Sequence, residues 1–133
     1  MVDTVEFELV SPEKLLLSKA VDMVVVPGME GDFGVLPRHA PLLSTIRPGV
    51  IDVYEGNQVT ERIFVAGGFA EVTGQRCTVL AEEALLVGDI DRSAVERDLS
   101  EIRDDLLDAK TDEERMAIEE KKAVAEAKLQ VTA

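Results

Sequence analysis

The sequence is poor in the side chains that most often carry chemistry. Its 133 residues include no tryptophan, one tyrosine, one histidine and one cysteine. A metal site needs His, Cys or carboxylate ligands clustered at short spacing, but His39 and Cys77 lie far apart in the sequence. A single cysteine also excludes an internal disulfide. The composition therefore predicts neither a metal centre nor a bound cofactor.

Positive charge is scarce as well. Fourteen lysines and arginines stand against 27 acidic residues, which gives a formal net charge of −13. Such a protein repels a polyanion, and it repels anionic lipid headgroups for the same reason. The shortage of aromatic rings removes the stacking platforms on which bases bind. We therefore expect no nucleic acid among the partners and no direct lipid binding.

Long apolar runs are missing too. The opening "MVDTVEFELV" has neither the basic start nor the apolar centre of a secretory signal. No segment approaches the roughly 18 apolar residues that a membrane-spanning helix requires. Together with the lone cysteine, these features favour a soluble protein in a reducing compartment.

The first two-thirds of the sequence show the pattern of β-strands. In "TVEFELV", Val5, Phe7 and Leu9 alternate with glutamates, as in a half-buried strand. The segment "LLLSKAVDMVVVPG" predicts one strand that ends at Gly28, and residues 49–83 predict four more, joined by hairpin turns at "EGN", "GG" and "TGQ". Closely spaced short strands predict an antiparallel sandwich or barrel.

The pattern changes to a helical one after Gly88. No proline or glycine occurs from Asp91 onward, and Asp91 is the predicted N-cap of a first helix. Thr111 and Glu114 form a capping box that predicts the start of a second helix. The apolar positions predicted to face inward are Val95, Leu99, Ile102 and Leu106 in the first helix, and Met116, Val124, Ala127 and Val131 in the second.

We therefore predict an α-helical hairpin after the strand region. Its apolar positions are few and small, so we expect the two helices to need the sandwich or a partner as their core. The tail from Asp89 onward holds 14 acidic and 8 basic residues, a net charge of −6. Both halves of the sequence are acidic, so no basic arm is set apart.

The segment "VVVPGMEGDFGVLPRHAPLL", residues 24–43, is the place to look for a reactive site. A Walker phosphate loop needs a lysine, and none occurs between Lys19 and Lys110. A dinucleotide loop would open a helix, which the prolines at 37 and 41 prevent. His39 could act as a general base, as a pH switch, or as a structural residue whose ring hydrogen-bonds the backbone. Cys77 alternates with apolar neighbours, so we expect it in the core.

Two segments carry a resemblance to a known family. "PGMEGDFGVLPRHAPLLSTIRPG" and "FVAGGFAEVTGQRCTVLAEEA", followed by an acidic helical tail, resemble the epsilon subunit of bacterial F-type ATP synthase, called delta in mitochondria. The likeness runs from about Val5 to about Val95 in order and spacing, and the tail matches in layout only. It implies an all-β sandwich of about ten strands over residues 1–88 and a C-terminal α-helical hairpin over residues 89–133.

The resemblance also implies a function. Members of this family are non-catalytic subunits of the central stalk, the rotor. They link the gamma subunit to the membrane-embedded c-ring, which couples proton flow to ATP synthesis. The hairpin can reach the alpha and beta catalytic subunits. We therefore expect a peripheral protein on the cytoplasmic side of the bacterial inner membrane.

The resemblance further implies which residues meet the c-ring. Glu30, Gly31 and Asp32 match the loop that faces the basic c-ring loops, and His39 lies in the adjoining "PRHAP" turn. Many relatives have glycine where this sequence has Arg38. A residue with a side chain there predicts that the turn does not depend on a glycine conformation.

Some family members bind ATP through an I/L-D-x-x-R-A motif at the start of the first tail helix. Ile90 and Asp91 match its first two positions, but Ala94 stands at the position of the arginine. A phosphate loses its bidentate partner without that guanidinium. We therefore predict weak or absent ATP binding.

The second tail helix bears on inhibition. In inhibitory members a basic second helix inserts among acidic catalytic subunits, whereas residues 111–133 here hold six acidic and four basic residues. We therefore expect a tail that inhibits poorly and stays folded. Two alternatives remain open at this point: a nucleotide-sensing regulatory module, and an acidic β-sandwich adaptor unrelated to the synthase.

Overall fold

The fold is that of a computed structural model, which describes residues 3–132. The polypeptide divides into two compact units that meet between Leu86 and Val87. The first unit is built of strands and the second of helices.

Ten strands form in the described part of the first unit, in two five-stranded sheets. One sheet has the order β2-β1-β9-β8-β5 and the other has the order β10-β7-β6-β3-β4. The predicted sandwich is thus confirmed over a barrel, because the strands belong to two separate sheets. The strands are β1 (Val5–Val10), β2 (Leu15–Val21), β3 (Met23–Gly28), β4 (Gly31–Val35), β5 (Leu42–Thr45), β6 (Gly49–Glu55), β7 (Gln58–Ala66), β8 (Phe69–Val72), β9 (Arg76–Leu80) and β10 (Glu83–Leu86).

Alternating side chains build the core between the sheets. In β1 the side chains of Val5, Phe7 and Leu9 are fully or almost fully buried, as their period-2 spacing predicts. Cys77 lies in the same core, opposite Phe7 in the ladder that joins β1 to β9. Burial raises the pKa of its thiol to about 12, because a thiolate would lose its hydration there.

Three details of the sheets differ from the sequence prediction. The single strand expected up to Gly28 is two strands, broken at Asp22, and they belong to different sheets. The "GG" segment, Gly67 and Gly68, is likewise a crossing between sheets rather than a hairpin turn. The pair β1–β9 is parallel although the other pairs are antiparallel. Reversals and crossings of the backbone use the same turn residues, so local composition does not separate them.

One ion-pair cluster links the two sheets at their side. Lys19 of β2 lies 2.8 Å from a carboxylate oxygen of Glu55 and 3.4 Å from one of Glu61, which belong to the opposite sheet. The hydrogen bond that Lys19 donates to Glu55, and secondarily the one to Glu61, raises the pKa of Lys19. The cluster therefore connects β2 to β6 and β7.

The second unit is an α-helical hairpin. After a 3₁₀ turn at Val87–Asp89, helix α1 spans Arg92–Asp108 and helix α2 spans Asp112–Val131. Both predicted N-caps are confirmed: Asp91 accepts from the amide of Ala94, and Thr111 accepts from the amide of Glu114. The reciprocal bond of the second cap goes from the amide of Lys110 to Glu114 at 3.0 Å, one residue earlier than in a standard capping box.

The inner face of the hairpin differs from the prediction in its second helix. Val95, Leu99 and Ala125 are buried together, so the helices do form a small core of their own. Ile90, Ile102 and Leu129 pack against it. Met116, predicted to face inward, is 65% exposed. The sparse apolar residues of α2 were compatible with more than one face, and packing against α1 selected the face with Ala125.

Candidate functional site

The first candidate surface is the tip of the β3–β4 hairpin. Gly28 pairs with Gly31, so Met29 and Glu30 form a two-residue connection. Both are exposed, and Met29 keeps 61% of its accessible surface. Gly31 has a φ of +134°, a backbone conformation that favours glycine. The tip therefore presents one apolar and one acidic side chain on a shaped turn.

The two predicted acidic residues of this tip differ in their surroundings. Asp32 lies in β4, where its carboxylate accepts a hydrogen bond from Nη2 of Arg47 at 2.5 Å. Glu30 forms no ion pair with any residue in the range 3–132. The negative charge available to a partner at the tip is therefore mainly that of Glu30.

The structure brings Glu30, Gly31 and Asp32 together but places His39 elsewhere. β4 leads away from the tip for five residues, which spans about 13 Å. His39 follows the far end of this strand. The predicted c-ring residues therefore lie at two ends of the sandwich and do not form one patch.

His39 belongs to a tight turn, and its ring contacts backbone. Its amide donates to the carbonyl of Leu36 at 3.1 Å, which closes a turn over Pro37 and Arg38. Its Nδ1 lies 2.6 Å from the carbonyl oxygen of Ala40. This geometry fits the structural interpretation of the ring better than a role as general base, which would need an orienting carboxylate.

Arg38 corrects one expectation from the sequence. Its φ is +65°, so the position does adopt the left-handed conformation that glycine occupies easily. Proline followed by a residue of positive φ is the pattern of a type II turn. The amide of Arg38 donates to Gly74 at 2.8 Å, and its guanidinium lies 2.8 Å from the carboxylate of Asp3. These contacts hold an arginine in a conformation that it rarely adopts.

The degenerate ATP-motif positions lie at the start of α1 and are already engaged. Asp91 uses its carboxylate as the N-cap, with 3.2 Å between Oδ1 and the amide of Ala94. Ile90 packs against the small hairpin core. Arg92 donates to Glu96, and its Nη1 donates to the carbonyl of Leu129 at 3.2 Å. The nearest guanidinium is thus used inside the hairpin.

A second exposed surface lies on the outer face of the β1-containing sheet. Val10 pairs with Leu15 of β2 and with Leu80 of β9, and Leu80 pairs with Phe69 of β8. We call these four residues the apolar row. Phe69 is 42% exposed and Leu15 is 55% exposed. Exposed apolar side chains in cross-strand register are typical of a contact surface for another protein.

The sequence pattern missed two features of these surfaces. Arg47 contacts the tip hairpin from 15 positions away, and no local signal joins it to Asp32. The apolar row was hidden because its members lie on four strands. In the described residues 3–132, no group of three or more His, Cys, Asp or Glu side chains could hold a metal ion. No helix in that range is both long and apolar enough to cross a bilayer.

Both units match known families in sequence. Residues 4–87 match the family described as ATP synthase, Delta/Epsilon chain, beta-sandwich domain. Residues 91–133 match the C-terminal domain of the ATP synthase epsilon subunit. The protein is 57% identical to the ATP synthase epsilon chain of Rhodospirillum centenum, over 100% of its own length and 94% of that protein. It is also 57% identical to the epsilon chain of Rhodospirillum rubrum, over 97% of its own length and 96% of that one.

Solved structures share the fold at lower identity. A subunit of the Euglena gracilis mitochondrial ATP synthase, solved as OSCP/F1/c-ring, superposes with a TM-score of 0.81 at 21% identity, covering 96% of this protein and 80% of its own length. A subunit of the Tetrahymena thermophila mitochondrial ATP synthase central stalk and c-ring has a TM-score of 0.70 at 17% identity, covering 97% and 96%. Since both units and nearly the full length match, the chain belongs to the ATP synthase delta/epsilon chain family.

Proposed function

We propose that this protein is the non-catalytic rotor subunit of a proton-translocating F-type ATP synthase, linking the gamma subunit to the c-ring. The observation that carries the proposal is the family match of both units, at 57% identity to epsilon chains over nearly the full length. The two solved relatives come from mitochondrial assemblies described as including the c-ring, one of them with the central stalk. This match removes the alternative of an unrelated adaptor.

In this proposal the protein binds other subunits and catalyses no reaction. It acts peripherally, on the cytoplasmic side of the bacterial inner membrane. Residues 1–88 form the part that binds gamma and the c-ring, and residues 89–133 form the regulatory part. The division of roles at residue 88 stays a prediction.

The tip of the β3–β4 hairpin is proposed to face the c-ring. Glu30 complements basic loops opposite, Met29 adds apolar area, and Gly31 sets the shape of the turn. One exposed ion pair contributes about 0–1 kcal/mol, so Glu30 alone cannot hold the joint. His39, at the other end of β4, supports the fold of its turn.

The apolar row is proposed to face gamma. A stable joint between two rotor subunits needs roughly 1,200 Å² of buried surface or more, and apolar side chains must supply much of it. The row extends over four strands of one sheet. Phe69 of the row pairs with Thr45, which also accepts the amide of Met29, so the two surfaces adjoin.

Reconstitution from purified subunits tests this function. The full-length protein is mixed with gamma, and the complex is then offered to purified c-ring in detergent. We expect a stable complex with gamma, weakened by Phe69→Asp, and retention on the c-ring that depends on gamma. Glu71→Gln, on the neighbouring exposed position of β8, is the control for Phe69→Asp. A protein that ignores gamma contradicts the proposal.

A nucleotide-sensing role is the second function class to test. Asp91 and Arg92 already contact other groups of the hairpin, and Ala94 offers no charge. We propose that ATP binds weakly or not at all. Isothermal titration calorimetry with ATP should show no heat of binding, and micromolar affinity would contradict this.

Strong inhibition of ATP hydrolysis by the hairpin is not expected, because α2 lies in a segment of net negative charge. Removing the residues after Gly88 from the assembled enzyme should change hydrolysis little. A large rise in hydrolysis would show that the hairpin does inhibit.

A further inference from the structure

Arg47 reaches across the base of the hairpin whose tip carries Glu30. It lies in the connection between β5 and β6, and it is half-buried. Its Nη1 donates to the carbonyl of Gly28 at 2.7 Å, and its Nη2 donates to Oδ1 of Asp32 at 2.5 Å. Its backbone amide donates to the carbonyl of Pro27 at 3.0 Å. One residue thus contacts both strands of the hairpin, β3 and β4.

The base of this hairpin has little room to move. A Cβ at Gly28 would lie 2.9 Å from the carbonyl oxygen of Gly31 and 2.9 Å from the ring of Phe33. The amide of Met29 donates to the carbonyl of Thr45 at 2.9 Å, which ties the start of the tip to β5. A guanidinium with two donors in fixed geometry matches such a base better than a flexible ammonium. The direction in which the tip leaves the sandwich therefore depends on Arg47.

The charge of Arg47 also divides the roles of the two acidic residues. The carboxylate of Asp32 accepts from Nη2, so it is already compensated inside the molecule. Glu30, two positions earlier and beyond the contacts of Arg47, has no ion pair within residues 3–132. Asp32 can therefore influence a partner through the placement of the tip, while Glu30 can contact the partner itself.

We propose that Arg47 is a positioning residue for the c-ring contact: it fixes the hairpin tip through Gly28 and Asp32, so that Glu30 meets the basic loops opposite. This inference rests on the proposed function. It assigns Asp32 an intramolecular role, whereas the resemblance of the sequence implied that Asp32 itself faces the c-ring.

Binding of the complex of gamma and the full-length protein to purified c-ring tests the inference. Arg47→Gln removes the charge and one donor, and we expect binding to weaken about threefold to tenfold. Arg47→Lys keeps the charge but cannot form both contacts, so we expect an intermediate affinity. Hydrogen–deuterium exchange should become faster in Arg47→Gln at residues 28–32 and stay unchanged in β1. Binding to gamma should stay about the same as in the wild type.

A double-mutant cycle separates positioning from direct contact. If Asp32 acts through Arg47, Asp32→Asn weakens c-ring binding in the wild type but has no further effect in Arg47→Gln. If Asp32 contacts the c-ring directly, Asp32→Asn weakens binding equally in both backgrounds, and this result overturns the inference. Glu30→Gln should weaken binding in both backgrounds, because Glu30 contacts the partner in either case.

Arg62→Gln is the matched control variant. Arg62 forms a comparable cross-strand pair, with its Nε 3.3 Å from the carboxylate of Asp52. It lies in β7, away from the hairpin tip, so we expect unchanged c-ring binding. Equal losses in Arg62→Gln and Arg47→Gln would mean a general effect of charge and would overturn the inference.

The outcomes also separate this inference from the proposed function. A wild-type protein that binds both gamma and c-ring, with Arg47→Gln binding the c-ring equally well, overturns the inference alone. A wild-type protein that binds neither partner overturns the proposed function, and the inference with it.

Discussion

The two units of the protein are held together in different ways. Among residues 3–132, seventeen buried residues form the sandwich core, whereas three form the core of the hairpin. The sandwich core joins segments that lie far apart in sequence, such as Phe7 and Cys77. The hairpin has a small apolar contact, and polar groups hold its ends: Thr111 caps α2, and Arg92 bonds the last turn of α2.

This contrast suits the proposed roles of the two units. A tip that must meet a partner in one geometry needs a rigid base, and burial in the sandwich provides it. A hairpin with a small core has a lower cost of opening, since fewer apolar contacts are lost. The two units should therefore respond differently when single contacts are removed.

Matched leucine truncations should affect the two units unequally, and this is the largest effect that we expect. Leu9 is 1% exposed in the sandwich and Leu99 is 6% exposed in the hairpin. Leu9→Ala should lower the free energy of unfolding of the sandwich by about 2–5 kcal/mol, because close-packed neighbours cannot fill the cavity. Leu99→Ala should cost less, because its surroundings can collapse.

Hydrogen–deuterium exchange across urea concentrations measures the stability of the two units separately. Leu9→Ala should speed exchange in β1 and β9, and Leu99→Ala should speed it in α1 and α2 only. Equal losses of stability from both truncations would contradict the contrast between the cores.

The pH dependence of stability should report the dry interior of the sandwich. The pKa of Cys77 is raised from 9.0 to about 12 by burial, so above pH 9 the unfolded protein releases a proton that the folded protein keeps. This contribution to stability is complete below pH 9. It is lost as the pH rises toward 12, with a slope of about 1.4 kcal/mol per pH unit.

Urea unfolding between about pH 7 and pH 11 measures this slope. Cys77→Ala should be destabilised by a constant amount at neutral pH, and its stability should fall less steeply above pH 9 than that of the wild type. Parallel curves for the two proteins in the alkaline range would mean that the thiol is hydrated in the fold.

Removing one cap should destabilise the hairpin. Thr111→Ala loses the oxygen that accepts the amide of Glu114 at 3.1 Å, which should cost about 1 kcal/mol. Thr111→Ser keeps this oxygen and serves as the control. Thermal unfolding followed by far-ultraviolet circular dichroism should show the loss in Thr111→Ala only, and equal effects of both variants would exclude capping as the cause.

The smallest effect is expected at the ends of the hairpin. Arg92→Gln removes the bonds from its guanidinium to the carbonyl of Leu129 and to the hydroxyl of Thr132. These groups are exposed, so we expect only a few-fold faster amide exchange in the last turn of α2. Arg97→Gln on the same helix is the control. If exchange is unchanged in Arg92→Gln, the hairpin ends are held by Val95 and Leu129 instead.

Local features of this fold could be predicted from local sequence. The alternation of Val5, Phe7 and Leu9 indicated β1, and the N-caps at Asp91 and Thr111 indicated where the helices begin. Each of these depends on residues within one strand or one turn of helix. The family could also be recognised, because its motif is a contiguous pattern of glycines and prolines.

Only the tertiary structure decided which strands pair and which charges remain available. A period-2 pattern marks the buried face of a strand but not its neighbour, so the break at Asp22 and the parallel pair β1–β9 were not foreseen. The same holds for the site. Arg47 compensates Asp32 across 15 positions, and β4 separates Glu30 from His39. Such contacts depend on how the whole core is buried, which no short segment encodes.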